Sequence, residues 1–133
     1  MARKRSKYPT ELELEILKIL WEAAPLAVRE VRELMAERGR KLAHTSLITT
    51  LNVMYEKRFV NREAADGGRG YAFSPKLSRD EVSQGMVGDL VKRVFEGSAS
   101  AMMLSLLENE QLDAASHADL RKAIEIYRKG DRK

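Results

Sequence analysis

Residues 26–75 read LAVREVRELMAERGRKLAHTSLITTLNVMYEKRFVNREAADGGRGYAFSP, and the order of their patterns decides the fold. From Val28 to about Arg38, Val31, Leu34 and Met35 share one face at helical spacing, while Arg29, Glu30, Arg32, Glu33 and Glu37 face water. Gly39 suits a left-handed helix cap, and Arg40, Lys41 and Leu42 form a turn. A second helix is expected from His44 to about Lys57, with Leu47, Leu51 and Met54 inward and Tyr55 beside them. Its other face carries Thr45, Ser46, Ile48, Thr49, Asn52 and Val53. Phe59–Glu63 and Tyr71–Phe73 read as paired strands, and the Gly-rich residues 64–70 between them as a hairpin tip. The order is helix, turn, helix, wing. A helix that packs on one face and shows small polar side chains on the other suits the floor of a DNA major groove.

Outward from this stretch, Thr10 and Glu13 have capping-box spacing behind Tyr8-Pro9, so a first helix begins there. Leu12, Ile16, Ile19 and Leu20 form its core face, Trp21 caps that face, and Glu11, Glu13 and Glu15 read as a solvated helix start. Pro25 ends the helix and Leu26 reads as a short strand. Beyond the hairpin, Ser78 and Glu81 make a second capping box before Val82, Met86, Leu90, Val94 and Phe95. Gly97 breaks that helix. Met102, Met103, Leu106 and Leu107 mark a short one, and Leu120, Ile124 and Tyr127 share a face of the last. The expected division is a basic flexible arm (1–8), a DNA-binding domain (9–75) and a three-helix domain (76–133). These last three helices expose more apolar surface than they can cover alone, so they either bury it against the first domain or pair with a second copy, and the two-fold habit of helix-turn-helix proteins favours pairing.

Composition narrows the function. The chain has 133 residues, 44% hydrophobic and 33% charged, and no cysteine, which excludes disulfides, thiolate metal sites and cysteine nucleophiles. No apolar run approaches the length of a membrane span, and none follows the basic N-terminus as a secretory signal requires, so a cytoplasmic protein is expected. Residues 1–75 hold 14 Lys and Arg against 10 Asp and Glu, while residues 76–133 hold 10 of each. Arg3, Lys4, Arg5 and Lys7 crowd the start, either as a phosphate-neutralising arm or as a solubilising tail. The two histidines, His44 and His117, fall on different helices with no metal-ligand spacing, and DGGRG at 66–70 lacks the ending of a phosphate loop. Neither an enzyme, a metal nor a cofactor is expected. Thr45, Ser46, Thr49 and Thr50 are mediocre helix formers. They serve either to bond back to the preceding turn or to touch bases and phosphates.

Taken in order, these segments resemble the penicillinase-repressor family of winged-helix bacterial transcriptional regulators. TELELEILKILWEAAPLAVREVRELM (10–35) is similar to the family's first two helices, and HTSLITTLNVMYEKRFVNRE (44–63) to its recognition helix and first wing strand. GRGYAFSP (68–75) resembles the second wing strand, and VFEGSASAMMLSLLENEQLDAASHADLRKAIE (94–125) the dimerisation domain. The resemblance implies a mainly α protein, a winged helix-turn-helix domain with a small hairpin wing followed by a three-helix dimerisation domain. It implies a homodimer that represses transcription from a palindromic double-stranded DNA operator, at β-lactam-response or related stress genes. His44, Thr45, Ser46, Ile48, Thr49 and Asn52 match the groove-facing helix, with Asn52 suited to adenine. Arg62 and Arg69 match wing positions suited to phosphates, and Arg40 and Lys41 are further phosphate candidates. The dimer surface would use Val94, Phe95, Met102, Met103, Leu106, Leu107, Leu120, Ile124 and Tyr127.

Three departures stand out. Ile48 and Val53 occupy places where relatives often carry Arg or Lys, which points to hydroxyl, amide and thymine-methyl readout. Without cysteine, copper sensing through thiolates is ruled out. Where β-lactam-responsive members are cut at an Asn-Phe bond, this chain has Ser105-Leu106, so a membrane-anchored sensor protease acting here would need another preference. Competing expectations are a protein-interaction winged helix and a ligand-sensing repressor with an interdomain pocket lined by Trp21, Tyr71 or Met86. An RNA-binding winged helix fits less well, because Tyr71 and Phe73 share one strand face and read as buried.

Overall fold

The computed structural model describes residues 8–109 and 113–131, with side chains except at 66 and 127–131. Residues 1–7 of the expected arm (1–8), with Arg3, Lys4, Arg5 and Lys7, lie outside the described residues, and so does the Tyr127 side chain. Chain contacts separate two units, one ending at Met86 and the other running from Val87.

The first unit opens with α1 (Glu11–Ala23), N-capped by Thr10. The capping box is complete: Glu13 N–H donates to Thr10 Oγ1 at 3.2 Å, and Thr10 N–H donates to Glu13 Oε1 at 2.9 Å. Two residues of strand β1 (Leu26–Ala27) lead into α2 (Val28–Glu37), followed by α3 (His44–Glu56), β2 (Val60–Ala64) and β3 (Tyr71–Pro75). The sheet is antiparallel in the order β1-β3-β2, with Leu26 and Arg62 both opposite Phe73. This is a winged helix-turn-helix. Its core joins Ile16, Leu17, Ile19 and Leu20 of α1 to Val31 and Met35 of α2, Leu47, Leu51 and Met54 of α3, and Leu26, Phe59, Val60 and Phe73 of the sheet region. Leu77, Val82 and Met86 also pack on this core, within the unit that ends at Met86.

Two helix ends set the placement of α3. After α2, Gly39 takes φ +85°; its N–H donates to Ala36 O and that of Arg40 to Met35 O, a Schellman closure that glycine makes without strain. After α3, Arg58 takes the same role at φ +67°, with Arg58 N–H to Tyr55 O and Phe59 N–H to Met54 O. Here a side-chain-bearing residue occupies the left-handed region.

Glu13 corrects an expectation. Instead of solvating the start of α1, it is only 3% exposed. Both its oxygens accept from Lys57 Nζ, at 3.0 and 2.9 Å, tying the start of α1 to the end of α3. The capping box draws the carboxylate back over the chain, and the lysine compensates its charge there. Trp21 packs against the core and donates from Nε1 to Leu77 O at 2.8 Å.

The second unit comprises the rest of α4 (Arg79–Val94), α5 (Ala99–Glu108) and α6 (Ala114–Asp131). The Ser78–Glu81 capping box of α4 is formed in both directions. Ser98 caps α5, and Asp113 caps α6 by accepting from Ser116 N–H at 2.8 Å. That backbone bond holds the Asp113 carboxyl below its ordinary pKa. None of the described helices is long and apolar enough to cross a membrane.

Candidate nucleic-acid interface

The turn before α3 is held by Arg32, whose Nε donates to Leu42 O at 2.9 Å. With Leu47, Leu51 and Met54 fully buried, the helical repeat turns Thr45, Ser46, Thr49 and Asn52 outward, and all four are exposed. Ile48 is half-buried at the edge of this strip and His44 is exposed at its start. Ala43 at the N-cap has no side-chain oxygen, so no side chain caps the first turn of α3.

Both readings of the hydroxyl cluster find a place. Thr49 Oγ1 donates to Thr45 O at 3.0 Å and Thr50 Oγ1 to Ser46 O at 2.9 Å, so these two bond back along the helix. Thr50 is half-buried, off the exposed strip. Thr49 is exposed, and an oxygen that donates its one proton can still accept. The Thr45 and Ser46 hydroxyls make no hydrogen bond among the described residues and can donate or accept.

The wing rises beside this helix. An open groove of about 820 Å³ brings together His44 and Ile48 of α3, Arg29 and Glu30 of α2, and Glu63, Arg69 and Tyr71 of the hairpin. Three sequence-predicted residues (His44, Ile48 and Arg69) thus line one concavity. Its charge is mixed. The Glu30 carboxylate is engaged with Ala27 N–H at 3.0 Å, and Arg69 is exposed at the hairpin tip.

Other predicted cations are placed differently. Arg40 is exposed but lies 3.6 Å from Glu15 of α1, so a phosphate would have to compete with that carboxylate. Lys41 is exposed. Arg62 is half-buried, with its guanidinium carbon 4.0 Å from the Tyr55 ring centre and 4.4 Å from that of Tyr71. Its Nη1 donates to Asn52 Oδ1 at 3.3 Å.

This Tyr55–Arg62–Tyr71 stack was missed in the sequence, where Tyr71 read as buried with Phe73. The strand face is as expected and Phe73 is buried, but Tyr71 is 45% exposed. It pairs with Ala64 at the outer end of the ladder, beyond the core, and meets Phe73 edge-to-face at 6.4 Å. The one available signal was the spacing of Asn52 and Tyr55, three residues apart and so neighbours on a helix surface. Among the described residues, no three His, Asp or Glu side chains gather as a metal would require.

The described dimer candidates divide by exposure. Val94 and Leu106 are exposed, while Phe95, Met102, Met103, Leu107, Leu120 and Ile124 are half-buried. Ser105 and Leu106 both sit on α5 and are exposed.

Comparison with known proteins agrees with this architecture. The sequence model of the family described as penicillinase repressor matches residues 9–126. The penicillinase repressor of Bacillus licheniformis is 22% identical over 119 residues, covering 90% of this chain and 91% of that one.

Proposed function

The chain belongs to the penicillinase repressor family, and on that premise we propose that it represses transcription by laying α3 in the major groove of an operator, as a homodimer on a palindrome. The observation that carries this is the strip Thr45, Ser46, Thr49 and Asn52, exposed on a helix whose opposite face is locked into the core. Hydroxyls and an amide on a rigid helix are suited to base edges, and Ile48 beside them to a thymine methyl. Arg69 at the wing tip and Lys41 in the turn supply phosphate contacts, and Arg40 joins them where DNA outcompetes Glu15.

Pairing is supported by the second unit, whose apolar side chains a lone copy leaves uncovered. Val94 is 62% exposed and Ile126 63%. Two copies related by a two-fold axis would place their α3 helices on half-sites about 10 base pairs apart, or a small multiple of that. The site of action is the cytoplasm, with no enzymatic role. Release by a membrane-anchored sensor protease at Ser105-Leu106 would require α5 to open locally, because a protease binds its substrate extended.

Selection of bound sequences from a random duplex pool tests this directly. A palindromic motif with fixed half-site spacing is the expected outcome. Recovery of unenriched sequences would sink it in favour of a protein-interaction role.

A further inference from the structure

Arg62 stands opposite Phe73, on the sheet face that buries Val60 and Phe73 against the helices. Its guanidinium lies between the rings of Tyr55 and Tyr71, at 4.0 and 4.4 Å, and from that slot it donates to Asn52 Oδ1 at 3.3 Å. Arginine has only donors, so the amide atom facing it is the oxygen, and the amide nitrogen points elsewhere. Asn52 itself is exposed on α3. The rings lie against the guanidinium and one of its N–H donors is spent on the amide, so it has fewer donors to offer a phosphate than an unengaged arginine.

Resting on the DNA-binding role above, we propose that Arg62 is a positioning residue for base readout: held between Tyr55 and Tyr71, it engages the amide oxygen of Asn52 and leaves the amide nitrogen to donate to guanine. Asparagine reads adenine with both ends of its amide, accepting from N6 and donating to N7. Arg62 takes one of the oxygen's two lone pairs and sets a positive charge beside it, so adenine's N6 donor meets competition there while the donating end stays free. Guanine presents two major-groove acceptors, O6 and N7, and no donor from its own edge. Cytosine offers only its N4 donor there and is rejected.

The test is sequence selection from a random duplex pool with the full chain and its Asn52→Ala, Arg62→Met and Arg62→Lys variants. The salt dependence of binding and the thermal midpoint are measured for each. Wild type should enrich guanine at one position per half-site, identified because Asn52→Ala erases it. Arg62→Met keeps an apolar chain between the rings but has no donor. At that position alone its guanine-over-adenine preference should fall by about tenfold. Arg62→Lys keeps the charge without the planar fork, so the same position should relax while the salt slope stays unchanged. Should Arg62→Met fail to fold, Arg62→Leu, which also lacks a donor, carries the same measurement.

Adenine at the Asn52 position in wild type overturns the proposal. So does an Arg62→Met chain that keeps every preference, binds all sequences more weakly and shows a salt slope smaller by about one, the mark of a phosphate contact. An operator whose preferences survive both Arg62 variants removes this assignment alone. A wild-type chain that enriches no sequence overturns the DNA-binding role and this assignment with it.

Discussion

The two units solve the burial problem differently. In the first, three helices and a small sheet enclose a core in which Ile16, Leu17, Val31, Leu47, Leu51 and Met54 are fully buried. In the second, no apolar side chain among the described residues is buried; Met102, Met103, Leu107, Leu120 and Ile124 reach only half-burial. Both units are rich in Leu, Met, Ile and Val, so composition does not separate them. Geometry does. A sheet edge closed by β1 and a hairpin roofs the first core, whereas so few helical residues in the second cannot wrap their own apolar faces. The first unit encloses its apolar side chains, and the described part of the second leaves its own half-buried or exposed.

The sharpest way to break this contrast is Lys57→Met. It leaves the Glu13 carboxylate buried without its cation, at a cost of about 3–5 kcal/mol. Trp21, the one tryptophan, lies in the first unit, so urea unfolding followed by its fluorescence reports that loss. A change under 1 kcal/mol would mean the pair contributes no more than a surface ion pair. Next comes Leu106→Asp in the second unit. A charge placed in an apolar contact should weaken self-association by about 2–4 kcal/mol while the Trp21 transition holds. Sedimentation that stays dimeric would clear Leu106 from the interface.

Smaller effects sharpen the picture within the first unit. Arg69→Ala should weaken binding to all duplexes alike and lower the salt slope by about one, with no change in sequence preference. An unchanged slope removes the wing tip from the phosphate count. Arg58→Gly should raise stability by up to about 1 kcal/mol, since glycine takes φ +67° without a steric penalty. Destabilisation there would show that the Arg58 side chain contributes more than its backbone costs.

Much of this was legible from local pattern. The capping boxes at Thr10 and Ser78, the Gly39 cap, the order of helices and hairpin, and the outward strip of α3 each follow from spacing within a few residues. What escaped was made by distance in sequence. Glu13 looked like solvated acid because its partner, Lys57, sits 44 residues away. Tyr71 looked buried because alternation gives a strand's face but not how far the core extends beneath it. The rings of Tyr55 and Tyr71 beside the Arg62 guanidinium were not legible because nothing local brings them to it. The Thr49 and Thr50 hydroxyls admitted two roles, and back-bonding is the one their own helix supplies.

The wing has a fixed footing and an open end. At its base, Phe59 is buried and its carbonyl accepts from Lys76 and Leu77, while neighbouring Lys57 is pinned to Glu13. At its tip, Gly67, Gly68 and Gly70 have clear space around them, and the loop closes through Ala65 N–H to Gly70 O. Doubling such a loop costs only about 0.6 kcal/mol in closure entropy. Evolution can therefore lengthen, shorten or recharge residues 66–70 without disturbing what anchors them.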